Sequence, residues 1–279
     1  MKIEHVILLT ISFLIVAGAA SLVKETSFPK NNIDPNFKIV QVNDEKMPSI
    51  NRKVEVFGLK IIAVKGVEDN KLLHAANILA QYLDNDEDGI VDNQEVLSSL
   101  INKKATLLMW KNESDLEDIE LESQFTQDLE NDETRPFWHT LKSSNFDASL
   151  EEIWHLITHV GYSSAYPKVF KEEKDSLLSK AMDKARGGYF EDIPSTYPKE
   201  AWYSYYDKTC DYSCMITEYF YWSMTSYLGA QKNRLNEIQD EWKLNTKEKL
   251  EKKDILISKL LTNPLYKLPK VLPDGTYKR

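Results

Sequence analysis

The chain has 279 residues, of which 44 are acidic and 35 are basic, giving a formal net charge of −9. A negative field of this size repels nucleic acid, so we expect no nucleic-acid partner. The length suits one large domain or two modest ones, each with a buried core.

The first twenty residues have the composition of a targeting segment. Lys2 precedes an apolar run over 6–20 that ends in small residues, which predicts a secretory signal peptide over 1–20 and an extracellular location. A retained membrane anchor is the alternative, although the run is shorter than the ~20 residues that span a bilayer. We expect no transmembrane segment after cleavage.

Two β-rich segments follow a polar lead-in. The lead-in, 21–51, contains several prolines and is predicted to be loosely ordered. The segment 53–64 is rich in Val, Ile and Leu, which predicts a strand with a bulge at Gly58. A second apolar segment, 105–110, predicts another strand.

Between these segments lies the acidic sequence DNDEDGIVDNQE, over 84–95. It matches the pattern D-x-[DN]-x-[DN]-G-x5-E at every specified position. Calcium takes six to eight oxygen ligands, which such a loop supplies from its positions 1, 3, 5, 7, 9 and 12. The predicted calcium ligands are Asp84, Asp86, Asp88, the backbone carbonyl of Ile90, Asp92 and Glu95.

Both flanks of this loop, 71–83 and 96–101, carry apolar residues at helical spacing. The unit over 52–110 therefore resembles an EF-hand with a strand on each side, and the resemblance implies bound calcium (Ca2+). An acidic turn between two helices is the alternative. No second loop of this pattern occurs in the sequence, which favours calcium in a structural role.

The remaining chain is predicted to be an acidic linker or loop over 111–135 and a helical body over 136–279. We thus expect an α+β, mostly helical fold, in which a small N-terminal sheet and an EF-hand-like helix-loop-helix precede the helical body. Cys210 and Cys214 are the only cysteines. In a secreted chain they predict one disulfide, with metal ligation as the alternative.

A second metal site is predicted in the helical body, on the segment 149–160, SLEEIWHLITHV. At ~100° per residue, Glu151, Glu152, His155 and His159 share one face of a helix. Two histidines four residues apart can bind one zinc ion. The alternatives are the solvated face of an amphipathic helix and, for Glu152, a capping box with Ser149.

Glu218 is the only charged residue of the apolar segment 215–231, which predicts a buried helix. A buried carboxylate must be paired, protonated or bound to a metal. Glu218 is thus a candidate third ligand beside His155 and His159. Its alternative is an ion pair with Arg186 or Lys208.

This order of elements resembles that of the gluzincins, zinc metallopeptidases in which one helix supplies two histidines and a later helix supplies a glutamate. The resemblance implies His155, His159 and Glu218 as ligands of zinc (Zn2+). It also implies a catalytic base directly after the first histidine, but Leu156 stands there. Glu151 or Glu152 would then have to act as the catalytic base.

Three functional hypotheses follow. The first is a secreted calcium-binding protein with structural calcium, and the second is a calcium-stabilised, zinc-dependent hydrolase whose metal-bound water attacks a carbonyl. The third is an interaction protein that uses the aromatic residues of 202–222 as its surface. The sequence identifies neither a substrate nor a protein partner.

Overall fold

The computed structural model describes residues 34–43, 47–117, 119, 125–136, 138 and 145–279. The predicted signal peptide over 1–20 and the lead-in up to residue 33 lie outside the described residues. Five strands of the described chain form one sheet, and helices dominate the rest. This arrangement confirms the predicted α+β, mostly helical class. Among the described residues, no helix combines the length and the apolarity needed to cross a bilayer.

The sheet has the strand order β1-β2-β3-β4-β5. Its first three strands pair antiparallel, whereas β3, β4 and β5 pair parallel. Parallel neighbours need a crossover connection, and the helix-loop-helix unit provides the one between β3 and β4. The strands are β1 (Val40–Gln41), β2 (Ile50–Val56), β3 (Leu59–Val64), β4 (Thr106–Trp110) and β5 (Thr126–Glu130).

A hairpin joins β2 and β3 through Phe57 and Gly58. Both turn residues have positive φ, 49° and 87°, as a two-residue turn with two left-handed central residues requires. The predicted single strand with a bulge at Gly58 is therefore wrong. The segment is two strands, because Gly58 reverses the chain where a bulge would only have bent it.

The acidic segment 111–135, predicted as a linker or loop, contains β5 at the edge of the sheet. Only Leu129 of this strand is buried. An edge strand pairs with only one neighbouring strand, and its other side is solvated. A polar sequence can therefore form an edge strand, even though it lacks the apolar residues from which the other strands were predicted.

Two helices, α1 (Asp69–Leu83) and α2 (Gln94–Asn102), flank the acidic loop, as the apolar spacing predicts. The Asn93 side chain caps α2 by accepting the N–H of Val96. In the helical body, α3 continues directly into a π-helical turn, Ile157–Tyr162. The helices of the body are α3 (Ser149–Leu156), α4 (Ser163–Ala165), α5 (Pro167–Phe170), α6 (Leu177–Arg186), α7 (Tyr212–Leu228), α8 (Leu235–Ile238), α9 (Lys247–Lys253) and α10 (Ile255–Leu261).

Helix α7 lies in the core of the helical body, as its apolar composition predicts. Its Phe220 stacks on Phe170 and meets Trp154 edge-on, with both ring pairs 5.3 Å apart. Most aromatic residues of 202–222 are likewise buried, whereas Tyr206 is 53 % exposed. They form core contacts, so they offer little of the interaction surface that the third hypothesis requires.

Candidate metal sites

The acidic loop brings three of its predicted calcium ligands together. Asp84, Asp86 and Asp88 each place a carboxylate oxygen within 4.8 Å of the others. The backbone N–H groups of Asp88 and Gly89 donate to the two Asp84 oxygens, at 3.2 and 2.8 Å. Gly89 has φ +88°, a conformation that glycine adopts without steric cost. The sequence pattern thus produces a turn that holds Asp84 at its centre.

The carboxylates of Asp92 and Glu95 lie outside this group. Ile90 is 65 % exposed, and its predicted ligand atom is the backbone carbonyl. Asp92 accepts the N–H of Asn85 at 2.8 Å, and burial raises the pKa of its carboxyl. Glu95 lies near Tyr166, whose hydroxyl donates to Asn93 Oδ1 at 3.3 Å. Glu95 therefore does not join the three aspartates in this structure.

The segment 270–279, hereafter the tail, packs against the loop. The Tyr277 hydroxyl donates to Asp84. The Asn85 side chain accepts the N–H groups of Lys270 and Val271, each at 2.8 Å. These contacts could not be predicted from the sequence, because nothing in the spacing of the tail residues indicates a partner 185 to 193 positions earlier in the chain.

A second group of ligand-type side chains lies between α3 and α7. Glu151, His155 and Glu218 each offer an atom within 4.8 Å of the others. His155 Nε2 lies 3.8 Å from Glu218 Oε2 and has no hydrogen-bond partner. His155 and Glu218 are each 3 % exposed. The structure thus brings together two of the three predicted zinc ligands.

His159, the third predicted zinc ligand, does not join this group. Its side chain is 45 % exposed, and its Nδ1 contacts the carboxylate of Glu172. A π-helical turn with i→i+5 hydrogen bonds begins at Ile157, so the regular α-helical spacing ends between the two histidines. Glu151, four residues before His155, takes the place that we predicted for His159.

Glu152 lies on the other side of the His155 ring. Its Oε2 is 3.6 Å from Nδ1, and its carboxylate also accepts a hydrogen bond from Gln127. The predicted capping box of Ser149 with Glu152 is wrong, since Ala148 is the N-cap and no side chain caps the helix there. Asp147 instead accepts the N–H of Ser149.

The predicted alternative for Glu218 was an ion pair with Arg186 or Lys208. Arg186 instead donates to the carbonyl of Phe190 at 2.6 Å and lies over three aromatic rings. The charges that act most strongly on Glu218 are those of Glu151 and Glu152. Within the described chain, Glu218 thus faces other carboxylates and forms an ion pair with neither Arg186 nor Lys208.

Burial and like charges set the protonation of this group. Burial raises the pKa of Glu218 well above its usual value, and the charges of Glu151 and Glu152 raise it further. Burial also raises the pKa of Glu151, to about 7. Burial lowers the pKa of His155. The site therefore favours neutral side chains unless a cation joins them.

Cys214 lies in the first turn of α7, four residues before Glu218, and Cys210 lies just before the helix. The sulfur atoms of Cys210 and Cys214 are at bonding distance, and their Cα atoms are 5.3 Å apart. These values are those of a disulfide, as predicted. Asp211, between them, caps α7 by accepting the N–H of Cys214.

Comparison with known proteins gives no identification. No family model, no curated protein and no solved structure matches the chain. Its function is therefore inferred from its own residues.

Glu241, whose charge also acts on Glu218, makes the stability of the protein pH-dependent. Burial, aided by the charges of Asp207 and Asp240, raises its pKa from 4.5 to about 7. The folded state thus holds this proton more tightly than the unfolded state. Proton binding by Glu241 therefore contributes fully to the free energy of unfolding below pH 4.5, and this contribution is lost as the pH rises through about 7.

We therefore expect that the urea concentration at the unfolding midpoint falls between about pH 4.5 and pH 7, and that Glu241→Gln flattens this fall. Glu248→Gln is the matched control, because Glu248 lies on the surface of α9 and its pKa is lowered, below this window. An equal pH dependence in wild type and Glu241→Gln contradicts the prediction.

Proposed function

We propose that the protein is a secreted calcium-binding protein that binds one calcium ion in the loop 84–95. The convergence of Asp84, Asp86 and Asp88 in a turn of the EF-hand pattern carries the proposal. Three carboxylates held this close repel one another, and a hard divalent cation removes that repulsion while using their oxygens as ligands. Outside the cell, calcium is present at millimolar concentration, at which even a weak loop of this kind is filled.

We further propose that the ion has a structural role. The carboxylate of Asp84 contacts the tail through Tyr277 and the loop through Gly89. An ion bound to Asp84 is therefore linked to α1 and to the tail at once. The sequence contains only one loop of this pattern. It therefore has no second EF-hand with which the first could pair and open on calcium binding, as sensor EF-hands do.

A zinc-dependent hydrolase, the other hypothesis from the sequence, has less support. Its zinc site would include His155 and Glu218, which are each 3 % exposed and thus offer little access to a peptide. Leu156 occupies the usual base position, and Glu152 is engaged by Gln127. Calcium binding is therefore the function that the geometry supports best.

The experiment compares thermal unfolding in calcium and in chelator. Calcium should stabilise wild type through ligand linkage, by about 2.7 kcal/mol at a calcium concentration of about 100 Kd. Glu95→Gln should weaken calcium binding and reduce this stabilisation. In the loop pattern, the glutamate at position 12 binds calcium through both of its carboxylate oxygens.

The matched control is Glu200→Gln, which removes an exposed carboxylate far along the chain from the loop. It should retain the full response to calcium. An identical melting temperature of the wild type in calcium and in chelator overturns the proposal. An equal calcium response in wild type and Glu95→Gln instead rejects only the role of Glu95.

A further inference from the structure

We propose a second metal site, formed by Glu151 and His155 of α3 and by Glu218 of α7, that binds a divalent transition-metal ion. These residues lie outside the loop 84–95, so the inference goes beyond calcium binding. One imidazole nitrogen and two carboxylates form a ligand set suited to zinc and its first-row neighbours. Calcium prefers a shell of oxygens alone.

The imidazole of His155 supplies the first argument. Its Nε2 is buried and has no hydrogen-bond partner, although it faces the Glu218 carboxylate at 3.8 Å. Buried polar atoms in folded proteins are almost always paired. A buried, unpaired nitrogen that faces one carboxylate, with a second carboxylate in the same group, therefore marks a position where a metal ion completes the contacts.

The other ring nitrogen supplies the second argument. Nδ1 of His155 faces Glu152 Oε2 at 3.6 Å, and Gln127 holds that carboxylate from β5. A histidine that binds a metal through one nitrogen commonly presents the other to a carboxylate, which fixes the ring orientation. Glu152 is thus a positioning residue, and Nε2 is left for the metal.

Tyrosines lie beside both carboxylate ligands. Tyr205 is close to Glu218, and Tyr221 is close to Glu151. The Tyr221 ring also meets the His155 ring edge-on, with the centroids 5.6 Å apart. The ligands are therefore surrounded by packed side chains, which restrict their movement as a preorganised site requires.

Charge balance supplies the third argument. Two carboxylates and a neutral imidazole around a divalent ion make a neutral assembly, which lowers the cost of burying the charges. Arg234 also acts on Glu151, but it is paired with Glu237 at 3.0 Å. A metal ion is the partner that neutralises both Glu151 and Glu218.

The distances suit a zinc ion after small side-chain adjustments. Ligand atoms around a tetrahedral zinc ion lie roughly 3.3 to 3.5 Å apart. His155 Nε2 and Glu218 Oε2 lie 3.8 Å apart, and no pair in the group exceeds 4.8 Å. Shifts of about one ångström, within the freedom of a glutamate side chain, bring all three atoms to one ion.

The experiment measures zinc binding to the metal-free protein by competition with a chelating dye, with calcium held constant. We expect one zinc ion per chain at this site in the wild type. Glu151→Gln, His155→Asn and Glu218→Gln should each weaken binding by more than about 100-fold, and Glu152→Gln by roughly 10- to 100-fold, the usual loss for an orienting partner. Asp86→Ala should bind zinc as the wild type does, which separates this site from the loop.

His159→Asn is the decisive control. His159 lies on the same helical segment but contacts Glu172, so its loss should change zinc affinity by less than about threefold. If His159→Asn loses zinc and Glu151→Gln retains it, the ligand set proposed here is wrong. If zinc binding persists in all three ligand variants, no such site exists.

Cobalt substitution of the wild-type protein provides a readout that does not depend on how the variants fold. A cobalt ion bound by His155 should give visible d–d absorption and paramagnetically shifted imidazole proton signals. The absence of both from the cobalt-loaded wild type overturns the proposal.

Discussion

Replacing Asp84 by Ala is expected to abolish the calcium response and to destabilise the protein even in chelator. Asp84 is fully buried, and its carboxylate accepts hydrogen bonds from the N–H groups of Asp88 and Gly89 and from the Tyr277 hydroxyl. A buried donor left without its acceptor costs about 1–3 kcal/mol. We therefore expect the free energy of unfolding in chelator to fall by about 3 kcal/mol or more, measured by urea titration.

Asp86→Ala is the matched control for this variant. It removes the same charge from the same loop, but Asp86 is exposed. We expect Asp86→Ala to weaken calcium binding while leaving the stability in chelator within about 0.5 kcal/mol of wild type. Equal losses of stability in chelator for the two variants contradict the role given to the Asp84 hydrogen bonds.

The second large effect is expected for Asp147→Ala. Asp147 and His74 are both buried, and the Asp147 carboxylate lies 2.7 Å from His74 Nε2. It also accepts the N–H groups of Arg135 and Ser149, at 2.9 and 3.2 Å. Removing one member of such a buried pair costs about 3–5 kcal/mol. Urea unfolding at pH 7 measures this loss.

The effect of Asp147→Ala should depend on pH. Burial raises the pKa of Asp147, but the charge and hydrogen bond of His74, with the hydrogen bonds from Arg135 and Ser149, outweigh this effect and hold the pKa below the usual 3.8. This stabilisation is thus present above pH 3.8 and is lost only as the pH falls further. In a double-mutant cycle with His74→Ala, we expect a coupling energy of about 1–3 kcal/mol, and a value near zero contradicts the pairing.

Local features of the fold follow from the sequence, because neighbouring residues determine them. The loop 84–95 is defined by spacing within one short segment, and the structure brings Asp84, Asp86 and Asp88 together. The burial of α7 follows from a run with a single charge. The hairpin could also have been predicted, because Gly58 follows one β-branched run and precedes another, which is typical of a turn.

Features that depend on distant contacts were not predictable in this way. Glu95 satisfies the loop pattern, yet it lies outside the group formed by Asp84, Asp86 and Asp88. The choice between Glu151 and His159 depends on where the helix changes from α to π winding. This turn packs closely against α2, since a Cβ on Gly161 would meet Val96 at 2.7 Å. The spacing of residues within one segment does not show where such a change of helix type occurs.

The contact between the tail and the loop also affects the order in which the protein can fold. Tyr277 and Asp84 are 193 positions apart, and contacts of such long separation form late because the closure of the intervening chain must come first. The helices α1 and α2 can form around the loop from local contacts alone. We expect Asp84 to gain its buried hydrogen bond from Tyr277 only after the helical body is in place. The loop is then expected to pass through a form without the tail before it reaches its final geometry.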